Sequence, residues 1–241
     1  IIQSNSKSVS TDVHILCVQT PIDDDNEPIT QYLEKATEYI AKNLSKNDLI
    51  IVRSTVPIGT TRNIVMPILE NISGLSSGQD FHLACAPERT VAGRALKEIR
   101  ELPQIVAGFD SFSSDFATSI FKKLTQTIVN VEHLEEAELI KLMDNTFRDL
   151  TFAYSNQIAQ IADKYDLNAS KIIQAANEGY SRNSIPKPSP GVGGVCLKKD
   201  PYILVSSSKK KGYVPKLTEV ARHINENMPN YIISKIERFS K

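Results

Sequence analysis

Residues 1–132 alternate between two hydrophobic periods, and this alternation restricts the fold more than any other feature of the chain. Short apolar runs stand at Val13–Gln19 (VHILCVQ), Asp48–Arg53 (DLIIVR), Phe81–Cys85, Gln104–Gly108 (QIVAG) and Thr127–Val131. Between them, Thr30–Leu44, Thr60–Ile72 and Phe112–Leu124 space their apolar residues as helices do. Strands alternating with helical stretches of roughly 10–15 residues predict a parallel sheet with crossover helices. The near-continuous apolar character of the strands suits a sheet covered on both faces.

Beyond Val131 the texture changes. One helical pattern runs from Leu134 to Tyr165, and a shorter one covers Asn168–Asn177. A Pro/Ser/Gly-rich stretch, Ser181–Gly194, follows, with Pro186, Pro188 and Pro190. Asp200–Ser208 is compatible with helix, and Lys216–Phe239 reads as helix throughout. The fold class expected is therefore α/β over residues 1–132, followed by an all-helical domain over residues 133–241.

Composition narrows the partners. Lys+Arg and Asp+Glu balance at 28 each, which removes any global electrostatic argument for nucleic acid or a membrane surface. No apolar run reaches the ~18 residues of a spanning helix. Cys17, Cys85 and Cys196 are odd in number and widely spaced, which fits a reducing compartment, and a cytoplasmic location is expected. No metal is expected, because His14, His82, His133 and His223 do not fall at ligand spacing and neither do the cysteines. There is no G-x-G-x-x-G and no P-loop.

Three stretches carry candidate chemistry. In Ser189–Pro201 (SPGVGGVCLKKDP), glycines that permit close backbone approach precede Cys196, with Lys198, Lys199 and Asp200 behind it. Neighbouring ammonium groups favour a reactive thiolate, and Asp200 could orient a water or accept a proton. The bland alternative is a turn, an inert cysteine and an ordinary helix cap. In Glu135–Leu150 (EEAELIKLMDNTFRDL), Lys141, Asn145 and Arg148 fall on one helical stripe, suited to an oxyanion and an anionic substrate. Leu139, Leu142, Met143, Phe147 and Leu150 fall largely on the other side, so the polar stripe also reads as a solvated face. Finally, Thr20-Pro21, Ser54-Thr55 and Pro87-Glu88 follow the first three strands, where open α/β sheets bind ligands. Ordinary strand-to-helix capping is the alternative at each.

Taken in order, these pieces resemble the UDP-glucose/GDP-mannose dehydrogenase family. The matching residues are QTP (Gln19–Pro21), STVPIGT (Ser54–Thr60), APER (Ala86–Arg89), AELIKLMDNTFRD (Ala137–Asp149) and PGVGGVCLKKD (Pro190–Asp200). Within the family the resemblance is strongest to the branch acting on UDP-N-acetylmannosamine, through Asn145–Asp149 (NTFRD), the short APER and Arg182.

The resemblance implies NAD-dependent oxidation of the C6 alcohol of a UDP-N-acetylhexosamine to the carboxylate. Cys196 would form a thiohemiacetal and then a thioester, and Lys141 and Asn145 would steady the oxyanion. Asp200 would assist proton transfer through water, which Thr55 helps to hold, and Glu88 would border the reacting end of the substrate. Thr20, Thr55 and Lys199 would touch NAD. Gly193 and Ile185–Ser189 would line the sugar-nucleotide site, with Arg148 and Arg182 also binding substrate. A homodimer through the helical domain is implied as well, with Arg182 reaching across it.

Three departures from the family pattern bear on these roles. The family's opening strand and G-x-G-x-x-G turn are missing here, as is a third domain beyond the last helix, so a fragment with negligible turnover of its own is expected. Residues 1–132 then correspond to the later half of a Rossmann-like dinucleotide-binding domain. Ala92 stands where the glucose enzymes carry a second glutamate. Beside the enzyme stands another reading, a non-catalytic truncated relative serving for dimerisation or sugar-nucleotide binding.

Overall fold

The structure, a computed structural model, describes residues 11–239. The first ten residues of the expected 1–132 unit lie outside the described residues, as do the last two of the chain. The chain divides into two compact units, residues 1–141 and 142–241.

The first unit is built on a five-stranded sheet: β1 (Val13–Leu16), β2 (Leu49–Val52), β3 (His82–Cys85), β4 (Gln104–Gly108) and β5 (Ile128–Val131), in that spatial order. β1, β2 and β3 pair in parallel, as do β4 and β5. The β3–β4 junction is antiparallel, with Ala84 opposite Gly108 and Cys85 opposite Ala107. The sheet is thus mostly parallel, departing once from the all-parallel expectation. The β3-to-β4 connection contains the short helix α3 (Ala95–Glu101), and an antiparallel pair needs no crossover to the opposite end of the sheet.

Period-2 alternation divides the strand side chains between two cores. Ile50, Val52 and Leu83 pack with Leu33 and Ala41 of α1 (Gln31–Ala41) and Leu69 of α2 (Met66–Ser73). Leu49, Ile51, Ala84 and Val106 pack with Ala117 and Phe121 of α4 (Ser111–Phe121). Helices on both faces explain why β2, β3 and β4 are buried at every residue. The expected helix over Thr60–Ile72 begins as a π-helical turn, Thr61–Val65, before α2 takes over. Pro67, one residue into α2, has no N–H to continue the ladder behind it. Asp110 caps α4, accepting from the Ser113 N–H at 2.7 Å.

The second unit is helical. It comprises α5 from Leu142 onward (the whole helix is Leu134–Lys164), α6 (Ala169–Asn177), α7 (Val195–Lys209) and α8 (Lys216–Phe239). Leu142, Ala153, Ile173, Ile203, Ala221 and Met228 are buried. The apolar side of α5 is only partly packed. Leu142 is buried, but Met143 is 51% and Phe147 65% exposed, while Asn145, Thr146 and Asp149 are buried. The packed face of this stretch is polar, because Asn145 and Asp149 find hydrogen-bond partners on α7 and α8. Among the described residues, no helix is long and apolar enough to cross a membrane.

Leu83 is fully buried between sheet and helices. Leu83→Ala is expected to cost about 2–5 kcal/mol. An earlier urea midpoint, with the buried Cys85 becoming reactive to thiol reagents over the same range, is the measurement.

Candidate functional site

In the first unit, the loops after β1, β2 and β3 lie at one end of the sheet because these strands are parallel neighbours. Hydrogen bonds tie the loops together. The Ser54 hydroxyl donates to the carbonyls of Leu16 and Val18, at 3.2 and 2.7 Å, and the Glu88 N–H donates to the Arg53 carbonyl at 3.3 Å. Arg53 itself is buried, and its guanidinium donates to the Ala86 carbonyl, to Gln104 Oε1 and to Glu88. The antiparallel β4 brings its first residue, Gln104, to this end of the sheet, where its amide also donates to the Pro87 carbonyl.

Glu88 is therefore held in place. Partial burial works to raise its carboxyl, but the Thr90 backbone N–H and Arg53 outweigh it and hold Glu88 below the usual range. Thr55 is half-buried in the loop after β2. Thr20 is 3% exposed, and its hydroxyl has no hydrogen-bond partner among the described residues. A buried hydroxyl with unused bonding capacity, beyond the carboxyl end of a parallel strand, suits a bound dinucleotide.

Glu138, in the first turns of α5, was not singled out by the sequence. Its carboxylate is buried and accepts from the Gly59 N–H at 2.5 Å, the Thr61 N–H at 2.8 Å and the Thr61 hydroxyl at 2.7 Å. It thus fastens the loop carrying Thr55 to the helix carrying Lys141, which is half-buried one turn further on. Burial raises the Glu138 carboxyl from 4.5 to about 7, with the three donors opposing the rise. The signal available in the sequence was the glutamate of AELIK, three residues before Lys141.

In the second unit, α7 begins at Val195, five residues before the expected helical stretch, so Cys196 stands in its first turn. Gly194 precedes it at φ +84, in the left-handed region that favours glycine. Cys196 is exposed. Asp200 lies four residues on, which places thiol and carboxylate on one helical face. The Asp200 side chain is fully buried. Asn145 donates to Asp200 Oδ2 at 2.5 Å, and the Lys199 ammonium lies 2.7 Å from Oδ1. Lys199 thus offers its charge to Asp200 rather than to the thiol. Gly193 is exposed with open space where a side chain would stand, and Arg148 and Arg182 are exposed. A buried charge needs a partner and hydrogen bonds, and Asp200 has both, one helical turn from an exposed thiol. That pairing can receive, hold or return a proton beside the thiol. Among the described residues, no group of three or more His, Cys, Asp or Glu side chains could hold a metal.

Comparison with known proteins agrees over nearly the whole chain. Residues 2–128 match the NAD binding domain of the UDP-glucose/GDP-mannose dehydrogenase family, and residues 135–227 match its central domain. The UDP-N-acetyl-D-mannosamine dehydrogenase of Pyrococcus horikoshii is 38% identical over 221 residues, covering 92% of this chain and 51% of that protein. The enzyme of the same name from Methanocaldococcus jannaschii is 36% identical over 239 residues, covering 98% and 53% respectively. A solved structure of UDP-D-ManNAc dehydrogenase from P. horikoshii superposes with a TM-score of 0.88 at 36% identity, over 95% of this chain and 55% of that one. The chain spans about half the length of the curated relatives it matches.

The raised carboxyl of Glu138 has a consequence for stability. A carboxyl whose folded value lies above its unfolded one contributes stability at low pH that is lost as pH rises through about 7. Each unit of difference is worth ~1.4 kcal/mol. Glu138→Gln is expected to remove this loss, so that urea midpoints at pH 5 and pH 8 differ less in the variant than in the wild type.

Proposed function

Because the chain belongs to the UDP-glucose/GDP-mannose dehydrogenase family, we propose that it carries the reacting thiol of an NAD-dependent oxidation of a UDP-N-acetylhexosamine. UDP-N-acetylmannosamine is the foremost substrate, and its C6 alcohol becomes a carboxylate. The observation that carries this reading is the exposed Cys196 one turn from the buried Asp200, which Asn145 and Lys199 hold.

NAD, when bound, takes up a hydride in each of the two oxidations. The thiolate of Cys196 adds to the carbon of the C6 aldehyde, and the carbonyl oxygen takes a proton, giving a thiohemiacetal. Loss of hydride from that carbon and of the proton from its hydroxyl leaves a thioester. Water adds to the thioester, the C–S bond breaks, and thiolate and carboxylate part. Holding the aldehyde covalently keeps it from escaping between the two oxidations.

Asp200 moves the proton of the attacking water, and Thr55 helps to hold that water. Lys141 and Asn145, four residues apart on α5, steady the oxyanion. Asn145 uses one amide N–H on Asp200 and has a second for this purpose. Glu88, kept ionised by its contacts, borders the substrate as a fixed charge. Gly193, Arg148 and Arg182 bind the sugar nucleotide. Thr20, Thr55 and Lys199 contact NAD, and the unsatisfied Thr20 hydroxyl supports its place there.

A homodimer through the helical unit completes the reading. Phe147, Leu150, Tyr154, Ile185, Pro186 and Leu217 line one apolar groove, and Phe147, Tyr154 and Leu217 are 65%, 53% and 70% exposed. Large apolar surface of this kind marks association sites.

The covalent step is tested on this chain directly. A UDP-N-acetylmannosamine 6-aldehyde is expected to slow iodoacetamide labelling of Cys196 by about tenfold or more, as a covalent carbonyl adduct would, while Cys17 labels unchanged. Labelling of Cys196 that ignores the aldehyde would leave the non-catalytic reading in its place. For the dimer, sedimentation velocity should show two copies for the wild type and one for Phe147→Glu.

A further inference from the structure

The loop that carries Cys196 is tied to the helices through Asp149 and through three residues outside every motif recognised in the sequence: Asn156, Arg222 and Asn225. Ser189, at the start of the cysteine loop, donates its backbone N–H to Asn156 Oδ1 of α5 at 2.9 Å. The Asn156 amide donates to Asn225 Oδ1 of α8 at 2.9 Å. The Asn225 amide donates to Asp149 Oδ1 at 2.9 Å and to the Asp149 carbonyl at 3.0 Å. Arg222 donates to the same Oδ1 at 2.7 Å and to the Leu197 carbonyl, just past the cysteine, at 3.3 Å. A run of hydrogen bonds thus leaves the chain at residue 189 and returns to it at residue 197.

Physical chemistry fixes the direction of this run. It starts from an N–H that can only donate and ends on a carboxylate that accepts, so both intervening amides have one orientation. Asn156, Asn225, Arg222 and Asp149 are all buried, so none can exchange a partner for bulk water without cost. Two helical prolines account for the attachment points. Pro201 has no N–H, so the Leu197 carbonyl four residues earlier lacks its helical donor, and Arg222 supplies one. Pro229 likewise leaves the Asn225 carbonyl free. Gly191 lies against it, at φ +145, where an added Cβ would stand 3.4 Å from that oxygen. Within the loop, the Ser189 hydroxyl donates to the Gly191 carbonyl at 2.8 Å.

We propose that Asn156, Asn225 and Arg222 are positioning residues that brace the cysteine loop at both ends and so present Cys196 from a fixed first turn of α7. The proposal deepens the reading of Cys196 as the reacting thiol and rests on it. The brace acts through backbone atoms at residues 189 and 197 and touches neither substrate nor sulfur.

The chain contains its own reference for a test. Cys17 is exposed in the other unit, and the ratio of Cys196 to Cys17 labelling by iodoacetamide, read by peptide mass spectrometry, reports Cys196 alone. In the wild type Cys196 is expected to label faster than Cys17. Asn156→Leu and Asn225→Ala are expected to lower the ratio about threefold or more, because a thiol that leaves a helix N-terminus loses that turn's free N–H groups. Asn156→Asp supplies the rescue. As a neutral acid it keeps the donor and acceptor of the amide, and as a carboxylate it loses the donor. Burial where Asn156 stands raises a carboxyl above its usual range, so the ratio should lie nearer the wild type at pH 5.5 and fall towards that of Asn156→Leu at pH 8.5, a profile that a simple packing defect would not give. Helical melting curves confirm that each variant is folded. Should the buried variants fail to fold, Ser189→Pro removes the anchoring N–H together with the hydroxyl bond to Gly191, and it is expected to lower the ratio below that of Ser189→Ala, which loses the hydroxyl alone.

A fast wild-type Cys196 with unchanged ratios in the folded variants overturns the brace and leaves the thiol reading intact. A wild-type Cys196 no faster than Cys17 overturns the thiol reading and the brace with it.

Discussion

The buried carboxylate of Asp200 is the constraint around which the helical unit is arranged. A charge taken wholly out of water must be matched by an opposite charge and by hydrogen bonds. Asp200 obtains the first from its chain neighbour Lys199 and the second from Asn145 on a different helix. That need fixes α7 against α5 at one point. It also explains why the packed face of α5 is polar between Asn145 and Asp149, and why Phe147 faces outward. The same solution recurs nearby. Burial pushes the Asp149 carboxyl upward, against the pull of Arg222 and Asn225.

The α/β unit uses buried charge in a different way. Arg53 gathers the ends of β2, β3 and β4, serving a carbonyl, an amide and the carboxylate of Glu88 from one guanidinium, which also lies 5.0 Å from the centre of the Phe121 ring. Glu138 closes the loop after β2 from the side of α5. The loops at this end of the sheet are thereby set by side chains that are themselves held at several points. Such support is what a site needs if its residues are to stay within a fraction of an ångström of their working positions.

Much of the candidate site was legible in the sequence because its residues are spaced locally. Asn145 and Arg148 are spaced for one helical stripe, and Cys196 and Asp200 are four residues apart. The family motifs carried these residues, and the fold class followed from period-2 runs alternating with helical ones. Less legible was anything set by partners distant in the chain. Glu138 read as one more helical glutamate, and Asn156, Arg222 and Asn225 read as ordinary polar residues, because burial gives no signature at a single polar position. The alternative reading of the polar stripe of α5 as a solvated face fails at the buried Asn145 for the same reason. Met143 and Phe147 count as core residues by hydrophobicity, and only packing shows that they face outward.

By itself the sequence determined the order of strands and helices, the covered character of the sheet and the local spacing of the candidate nucleophile and its neighbours. All of these depend on patterns within a few residues, where helix and strand periods act directly. The tertiary structure alone decided the antiparallel turn of β4, the helical setting of Cys196 and the hydrogen-bonded run from Ser189 to Leu197. The last arises because buried polar groups must find partners, and those partners lie tens of residues away; the first two depend on how whole elements pack, which no local spacing encodes.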